Sequence, residues 1–472
     1  MKWRNANAQS FAYGISRSWK GETVIDSSFC KFAASPGKIC SEPAPVNTFP
    51  CCKTEIKVGT SMSKNERLII VLLASINFTH ILDFMIMMPL GNYLMPYFKI
   101  TPQQFTFLVG AYTLTAGISG FTAAFFVNQF DRKKVLLFGY IGFLLGTIAC
   151  GIAPKYELLL AARILAGLFG GLIAAQVLSI VADIIPYERR GAAMGAIMSA
   201  FAVASTFGVP FSLYLANIIS WHAPFILVGV LGFVVVPFVW KYIPAMSGHI
   251  RERDEDRNKF EALHVVVQNP TQRLALLFSF LMMMGHFLII PFINPYMEFN
   301  NGYSKVVTPM IYLVGGISSF FAANILGKLS DKYGKLQVFS VSVLSSLAFI
   351  WIITNLPPVH VALMLALFGI WFVLATGRGV AAQAMISNVV SPQHRGSFMS
   401  FNSSVQQLGT ASASFISGII VVQGQGGKIL RYEWLGYLSI VILVICFFLA
   451  RRLFRKMQTQ PVSQMEMPLQ EV

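Results

Sequence analysis

The sequence predicts an all-α polytopic membrane protein with twelve transmembrane helices in two six-helix pseudo-repeats. Three observations carry this. Of 472 residues, 55% are hydrophobic and only 12% are charged, about half the ~25% of ordinary soluble domains. A soluble chain of that composition has too little polar surface to cover its core. Twelve apolar segments follow one another, each long enough to cross a ~30 Å hydrocarbon layer. Finally, motifs in the first six segments recur in the second six at a nearly constant offset. Disorder, a collagen-like repeat and a disulfide scaffold are excluded by the same composition and by a mean hydropathy of +0.63. A net charge of +16 runs against this apolar character and needs its own explanation.

Residues 1–61 differ from the rest. They are polar, rich in Ser, Pro and Lys, and hold no apolar run long enough for a signal-peptide core. They are expected to be a disordered or mis-assigned extension, with a small regulatory tail as the rival reading. Four of the six cysteines lie here (Cys30, Cys40, Cys51 and Cys52) in a spacing that matches no zinc pattern. Cys150 and Cys446 lie inside apolar runs, where a free thiol behaves as a small hydrophobe. No metal site is expected.

The first bundle is placed at 62–244, with spans at 68–95, 105–127, 135–153, 158–185, 192–216 and 223–243. A polar, charged linker at 245–273 separates it from the second bundle at 274–455. There the spans are 274–297, 306–326, 336–354, 361–390, 398–422 and 435–453. A tail follows at 456–472. Runs this long and continuous cannot be barrel strands, so each is a helix. With residue 62 inside, 21 Lys and Arg fall on inner loops and tails and five on outer loops. That asymmetry places both termini in the cytoplasm. It also turns most of the +16 into a topology signal, with contacts to anionic lipid head groups, and excludes a nucleic-acid surface.

The halves repeat one another. His80 and Pro89 match His286 and Pro295, an offset of 206. The stretch from Gly170 to Gln176 matches that from Gly377 to Gln383, an offset of 207, and Pro186…Arg190-Gly191 matches Pro392…Arg395-Gly396. The loop from Asn128 to Lys133 matches that from Asp331 to Leu336. Each half has an even number of spans, so the repeats are parallel. Two parallel halves are the architecture of an alternating-access carrier whose site lies between them.

These residues resemble the major facilitator superfamily, and within it the twelve-span drug:proton antiporters and related bacterial efflux carriers, over about residues 66–455. The superfamily's loop motif between spans two and three, G-x-x-x-D-R-x-G-R-K, is nearly intact in the second half as Gly327, Asp331, Lys332, Gly334 and Lys335. In the first half Ala124, Asn128 and Asp131 replace the Gly, Asp and Gly, while Arg132 and Lys133 remain. The resemblance implies a loop that latches one conformational state through an acid–base contact. The alternative is a set of basic loops that only fix topology. Span five carries Gly208-Val209-Pro210, similar to the antiporter G-P element, which the family associates with export.

Asp83 stands in span one at membrane depth, where a carboxylate faces a wet cavity or a partner. Burial opposes its ionisation and a nearby cation supports it, so the group can load and release a proton. The bland alternative is a structural ion pair. Arg163 opens Arg163-Ile164-Leu165-Ala166-Gly167 in span four, resembling the family's R-x-x-x-G element. It cannot lose its charge and is the natural partner, and the resemblance implies that spans one and four meet. His80 lies one turn before Asp83 on the same face and is expected to share in proton coupling. His286 holds the matched place in span seven and is expected to line the substrate cavity, with hydrogen-bonded packing as the rival reading for both. Arg378 either binds an anionic substrate group or snorkels to the cytoplasm. Gln176, Asn294, Gln383 and Gln406 add hydrogen-bonding capacity to a substrate cavity, or serve helix packing instead. Met85, Met87, Met88 and Met282–Met284 line a cavity or fill the core.

No catalytic triad, metal cluster or phosphate-binding loop is present, so an enzyme and an ATP-driven pump are both excluded. The expectation is a monomeric secondary carrier in the bacterial inner membrane, exporting a small molecule against protons without a cofactor. The proton gradient is its energy source. An uptake symporter on the same fold and a non-transporting receptor or scaffold are the competing readings.

Overall fold

The computed structural model describes residues 63–126, 129–185, 187–246, 268–390 and 395–459. The extension 1–61, Asn128, Pro186, most of the linker 245–273 and the end of the tail lie outside the described residues. The described residues belong to one contact unit, Thr60–Val472.

Helix α1 starts at Lys64, where Ser63 and Glu66 form a reciprocal capping box that satisfies two of the free N–H groups of the first turn. The helix runs as Lys64–Met87, breaks at Pro89, and resumes as a short helix Gly91–Phe98. It is followed by α2 Pro102–Phe126, α3 Arg132–Ile152 and α4 Tyr156–Ile184. Helix α5 comprises Tyr187–Val203, a π-helical turn Ala204–Gly208 and Val209–Ile218. The π turn stands just before Pro210, which has no N–H and whose ring crowds the preceding turn. Helix α6 is His222–Tyr242.

The second half begins with α7, Pro270–Phe287, capped by Asn269. Like α1 it does not run through: Ile290–Phe292, Ile293–Pro295 and a π turn Tyr296–Asn300 follow in sequence, around Pro291 and Pro295. The sequence placed single continuous spans at 68–95 and 274–297, so both breaks are corrections. Then come α8 Thr308–Tyr333, α9 Lys335–Thr354, α10 Val361–Ser387 and α11 Arg395–Ile420. A two-stranded hairpin, β1 Val422–Gln423 and β2 Ile429–Leu430, leads into α12 Tyr432–Thr459.

Among the described residues, eleven helices are long and apolar enough to cross a membrane. The twelfth, α11, has the length but carries Ser, Asn and Gln along it. It can do so because it packs on protein, against α7 in its own half and α2 in the other.

The helix pairing obeys a pseudo-two-fold axis. The first-half contacts α1–α6, α2–α4, α3–α4 and α3–α6 recur as α7–α12, α8–α10, α9–α10 and α9–α12. Across the halves α2 packs on α11, and the equivalent α8 packs on α5. At the latter crossing a Cβ on Gly316 would fall 2.5 Å from the Cα of Thr206, inside the π turn. Gly208 of the same turn sits against Leu82 of α1. The Gly208-Val209-Pro210 element therefore shapes a turn that touches both α1 and the opposite half.

Candidate functional site

The geometry of the first bundle centres on Asp83 and Arg163. Arg163 Nη1 donates to Asp83 Oδ2 at 2.8 Å, and both side chains are wholly buried. Gly167, one turn beyond Arg163, lets α4 approach α2 closely. A Cβ there would lie 2.4 Å from the Tyr112 carbonyl oxygen. The α2–α4 crossing is then tied by Thr115 Oγ1 donating to Ile164 O and Ser119 Oγ donating to Leu168 O, at 3.2 and 2.5 Å. Such small-residue crossings with hydroxyl bonds are the usual means of helix association in lipid.

Tyr112, which the sequence reading missed, completes the group. The Arg163 guanidinium lies 4.2 Å from the centre of its ring. His80 is also buried, 6.3 Å from the Tyr112 ring and 5.5 Å from that of Phe143. Both His80 ring nitrogens and the Tyr112 hydroxyl have no hydrogen-bond partner among the described residues. His80, Asp83, Arg163 and Tyr112 therefore gather one ion pair and two polar side chains without hydrogen-bond partners among the described residues in one buried place.

The second bundle holds a different arrangement at the related position. Arg378 is buried, with Nη1 donating to Ser346 Oγ at 3.1 Å and Nη2 lying 2.9 Å from His286 Nδ1. A guanidinium only donates, so His286 Nδ1 is the acceptor. Among the described residues no carboxylate lies within ion-pair distance of Arg378. His286 also packs on Trp371 at 5.5 Å.

The six residues expected to line one substrate cavity do not converge. His286 and Arg378 meet inside the second bundle. Gln383 and Gln406 make a long 3.4 Å contact with each other at the α10–α11 crossing. Gln176 is buried in α4 with neither amide atom bonded among the described residues. Asn294 donates to the Pro89 carbonyl of the opposite half at 3.2 Å. A small pocket does lie between the halves, lined by Ala116 and Gly120 of α2, Gly171 and Ala174 of α4, and Ser400, Ser403, Ser404 and Gln407 of α11.

Asn294 belongs instead to a seal at the end of the bundle remote from Arg132 and Lys133. There Asn92 Nδ2 donates to Glu298 Oε2 at 2.6 Å, and Thr308 Oγ1 donates to Glu298 Oε1 at 2.6 Å. The Lys305 ammonium lies 4.5 Å from the Tyr93 ring centre. The sequence reading did not single out Asn92 or Glu298. Their separation of 206 residues equals the repeat offset, and that was the signal available.

The loop-motif residues divide. Asp131 caps α3 by accepting from Lys134 N and also accepts from Met246 N. Arg132 Nε is 2.9 Å from Asp183 at the end of α4, and Lys133 Nζ donates to the Trp240 carbonyl. These contacts stay within the first bundle. In the second half Gly334 takes φ +99° at the tight turn between α8 and α9, and Lys332 rests on the Tyr333 ring. Asp331 is exposed, Lys335 half-buried, and a Cβ on Gly327 would meet open space.

Two helical bundles related by a pseudo-two-fold, each with a desolvated arginine at its centre, define a multi-pass membrane protein built for transport. A profile of the Major Facilitator Superfamily matches residues 73–380 and 378–469. The chain belongs to that superfamily, whose members are transporters and not enzymes. An uncharacterized MFS-type transporter of Bacillus subtilis (strain 168), YwfA, is 25% identical over 339 residues, 70% of this chain and 78% of that protein. A protein named probable sugar efflux transporter from Helicobacter pylori (strain ATCC 700392 / 26695) is 21% identical over 360 residues, 73% and 88% of the two. Among solved structures, a bacterial homologue of the human lysosomal transporter Spinster, inward-facing and unoccupied, superposes with a TM-score of 0.67 at 18% identity. It covers 85% of this chain and all of that one. The nucleoside transporter NupG gives 0.63 at 12%, covering 82% and all. These two show the shared fold.

Proposed function

We propose that the protein exports a small polar organic solute across the bacterial inner membrane in exchange for protons, with both termini cytoplasmic. The single observation that carries the reading is the wholly buried Asp83–Arg163 pair at the α1–α4 crossing. A carboxylate so placed is costly to keep charged unless the adjacent guanidinium balances it. A group held between those two demands can take up a proton on one side and release it on the other. Asp83 is the proton carrier in this reading, and Arg163 adjusts its affinity while keeping its own charge.

No bound cofactor or metal enters the scheme. A 100 mV gradient supplies about 2.3 kcal/mol per charge, enough for accumulation of about fiftyfold. The substrate binds between the halves, which rock about it. The pocket between α2, α4 and α11 is its proposed place, widening to admit substrate as the halves part. Export is supported by relatives named for efflux and by the Gly208–Pro210 element of α5. The named relative also makes sugars the first class to test.

The experiment uses everted membrane vesicles carrying an established pH gradient. A panel of sugars, nucleosides and cationic dyes is added in turn. Export by proton exchange requires at least one of them to dissipate the gradient in vesicles that contain the protein and not in those that lack it. Uptake by symport would need substrate to move with protons in the same direction, and a receptor would bind without any gradient-driven movement.

A further inference from the structure

The buried pair lies inside one bundle, whereas transport requires the two bundles to move against each other. Something must carry the protonation event across the interface. The described aromatic contacts form one continuous route. The Tyr112 ring has the Arg163 guanidinium 4.2 Å from its centre and the Phe84 ring stacked 5.9 Å away at 19°. Phe84 crosses to the second bundle and meets Phe287 at 5.7 Å. Phe287 packs on His286 at 5.1 Å, and His286 accepts from Arg378.

We propose that Tyr112, Phe84 and Phe287 are the positioning residues that pass protonation of Asp83 from the first bundle to the second. The inference rests on the reading of Asp83 as proton carrier and adds the route of coupling. Adjacent residues on a helix point about 100° apart. Asp83 therefore faces its own bundle while Phe84, its neighbour, stands between Tyr112 of that bundle and Phe287 of the other. α7 repeats the device: His286 turns inward to Arg378 and Phe287 turns across. A shift or rotation of α1 that follows a change at Asp83 must move Phe84 as well.

Tyr112 supplies the second arm. A proton on Asp83 removes the counter-charge of Arg163, which stays cationic and away from water. The Tyr112 face is an electron-rich surface lying directly against it. Closer seating of the guanidinium on that face displaces the ring against Phe84, and packed rings transmit displacement because interiors have little free volume. The other titratable or charged groups around Asp83 are Cys150 of α3, Tyr112 of α2, Arg163 of α4 and His80 on α1 itself. Of these, Tyr112 is the one that also touches Phe84.

The test uses the full chain in lipid nanodiscs, with Cys30, Cys40, Cys51 and Cys52 replaced by serine. Spin labels on Lys99→Cys and Val306→Cys report the separation of the two halves at their sealed end. Distance distributions are recorded at about pH 5 and about pH 9, a span that brackets perturbed carboxylates. The wild-type background is expected to change its populations with pH, and Asp83→Asn is expected not to. Phe84→Leu and Phe287→Leu are expected to shrink the pH-induced change in population ratio by about two- to tenfold, the worth of an aromatic pair. The double variant should lose no more than either single one, because both remove the same inter-bundle link, the Phe84–Phe287 contact. Tyr112→Leu should match them, while Tyr112→Phe, which keeps the ring, should respond as wild type.

If Phe84→Leu and Phe287→Leu respond as wild type while Asp83→Asn does not, the route is wrong and the proton reading stands. If Tyr112→Phe fails like Tyr112→Leu, the hydroxyl and not the ring is at work, which overturns the ring-borne route. If the wild type shows no pH response, or Asp83→Asn keeps it, the proton reading falls and the coupling route falls with it.

Discussion

The seal between α1 and α7 gives a perturbation whose size follows from the structure. Asn92 is buried, and its amide donates to Glu298 across the halves at 2.6 Å. Alternating access requires these ends to part, so the bond exists in one state and is replaced by water in the other. A hydrogen bond to a charged acceptor is worth about 1.5–3 kcal/mol. Glu298 is half-buried and recovers water on opening, so the differential worth is nearer about 1 kcal/mol. Asn92→Ala should therefore raise the ratio of open to sealed protein about fivefold. Asn92→Asp should raise it further, because it sets a second carboxylate against the first. The assay is the labelling rate of a cysteine placed at Met88, a residue 2% exposed in the sealed state, by a membrane-impermeant maleimide added outside. Faster labelling in both variants, with the order Asp above Ala, is the expected result. Unchanged labelling in both would refute the view that this contact holds the end shut.

Other consequences follow from named contacts. Arg163→Met strands a buried carboxylate and should cost about 3–5 kcal/mol, whereas the Asp83→Leu/Arg163→Met double variant should recover most of the loss. Denaturant unfolding in detergent compares the two. Gly167→Leu drives a side chain into the Tyr112 backbone, where even a Cβ has no room. It should destabilise by at least about 1–3 kcal/mol and abolish proton-linked transport. Arg132→Ala removes a pair with Asp183 whose side chains are 14% and 33% exposed, so solvent screening leaves it worth about 0.2–1 kcal/mol. Its thermal midpoint should stay near that of the wild type.

The spans were legible because length and apolarity are forced by the bilayer, and the repeat because both halves retain His, Pro and Gly at fixed offsets. Asp83 and Arg163 were legible because a charge inside an apolar run needs a reason. The breaks in α1 and α7 were visible as Pro89, Pro291 and Pro295, yet apolarity continues across them and concealed the change of backbone. Side-chain direction was not legible. Arg378, Asn294 and Gln383 are polar residues in spans, and polarity alone does not say which neighbour each faces. Arg378 turned out to bond within its own bundle and Asn294 to the opposite backbone. Tyr112 escaped notice because one aromatic among so many carries no signal until Arg163 is seen lying on its ring. Asn92 and Glu298 were within reach, since residues separated by the repeat offset can touch only near the pseudo-two-fold axis.

If Asp83 carries the transported proton, neutralising it must separate exchange from accumulation. Purified protein is reconstituted into liposomes loaded with whichever panel compound dissipated the gradient in vesicles. Gradient-driven flux is measured in wild type and in Asp83→Asn, alongside exchange of labelled for unlabelled compound with no gradient. Asp83→Asn is expected to keep the exchange, since the path and site are intact, and to lose accumulation driven by the pH gradient. Accumulation in Asp83→Asn equal to that of the wild type would contradict the proton reading.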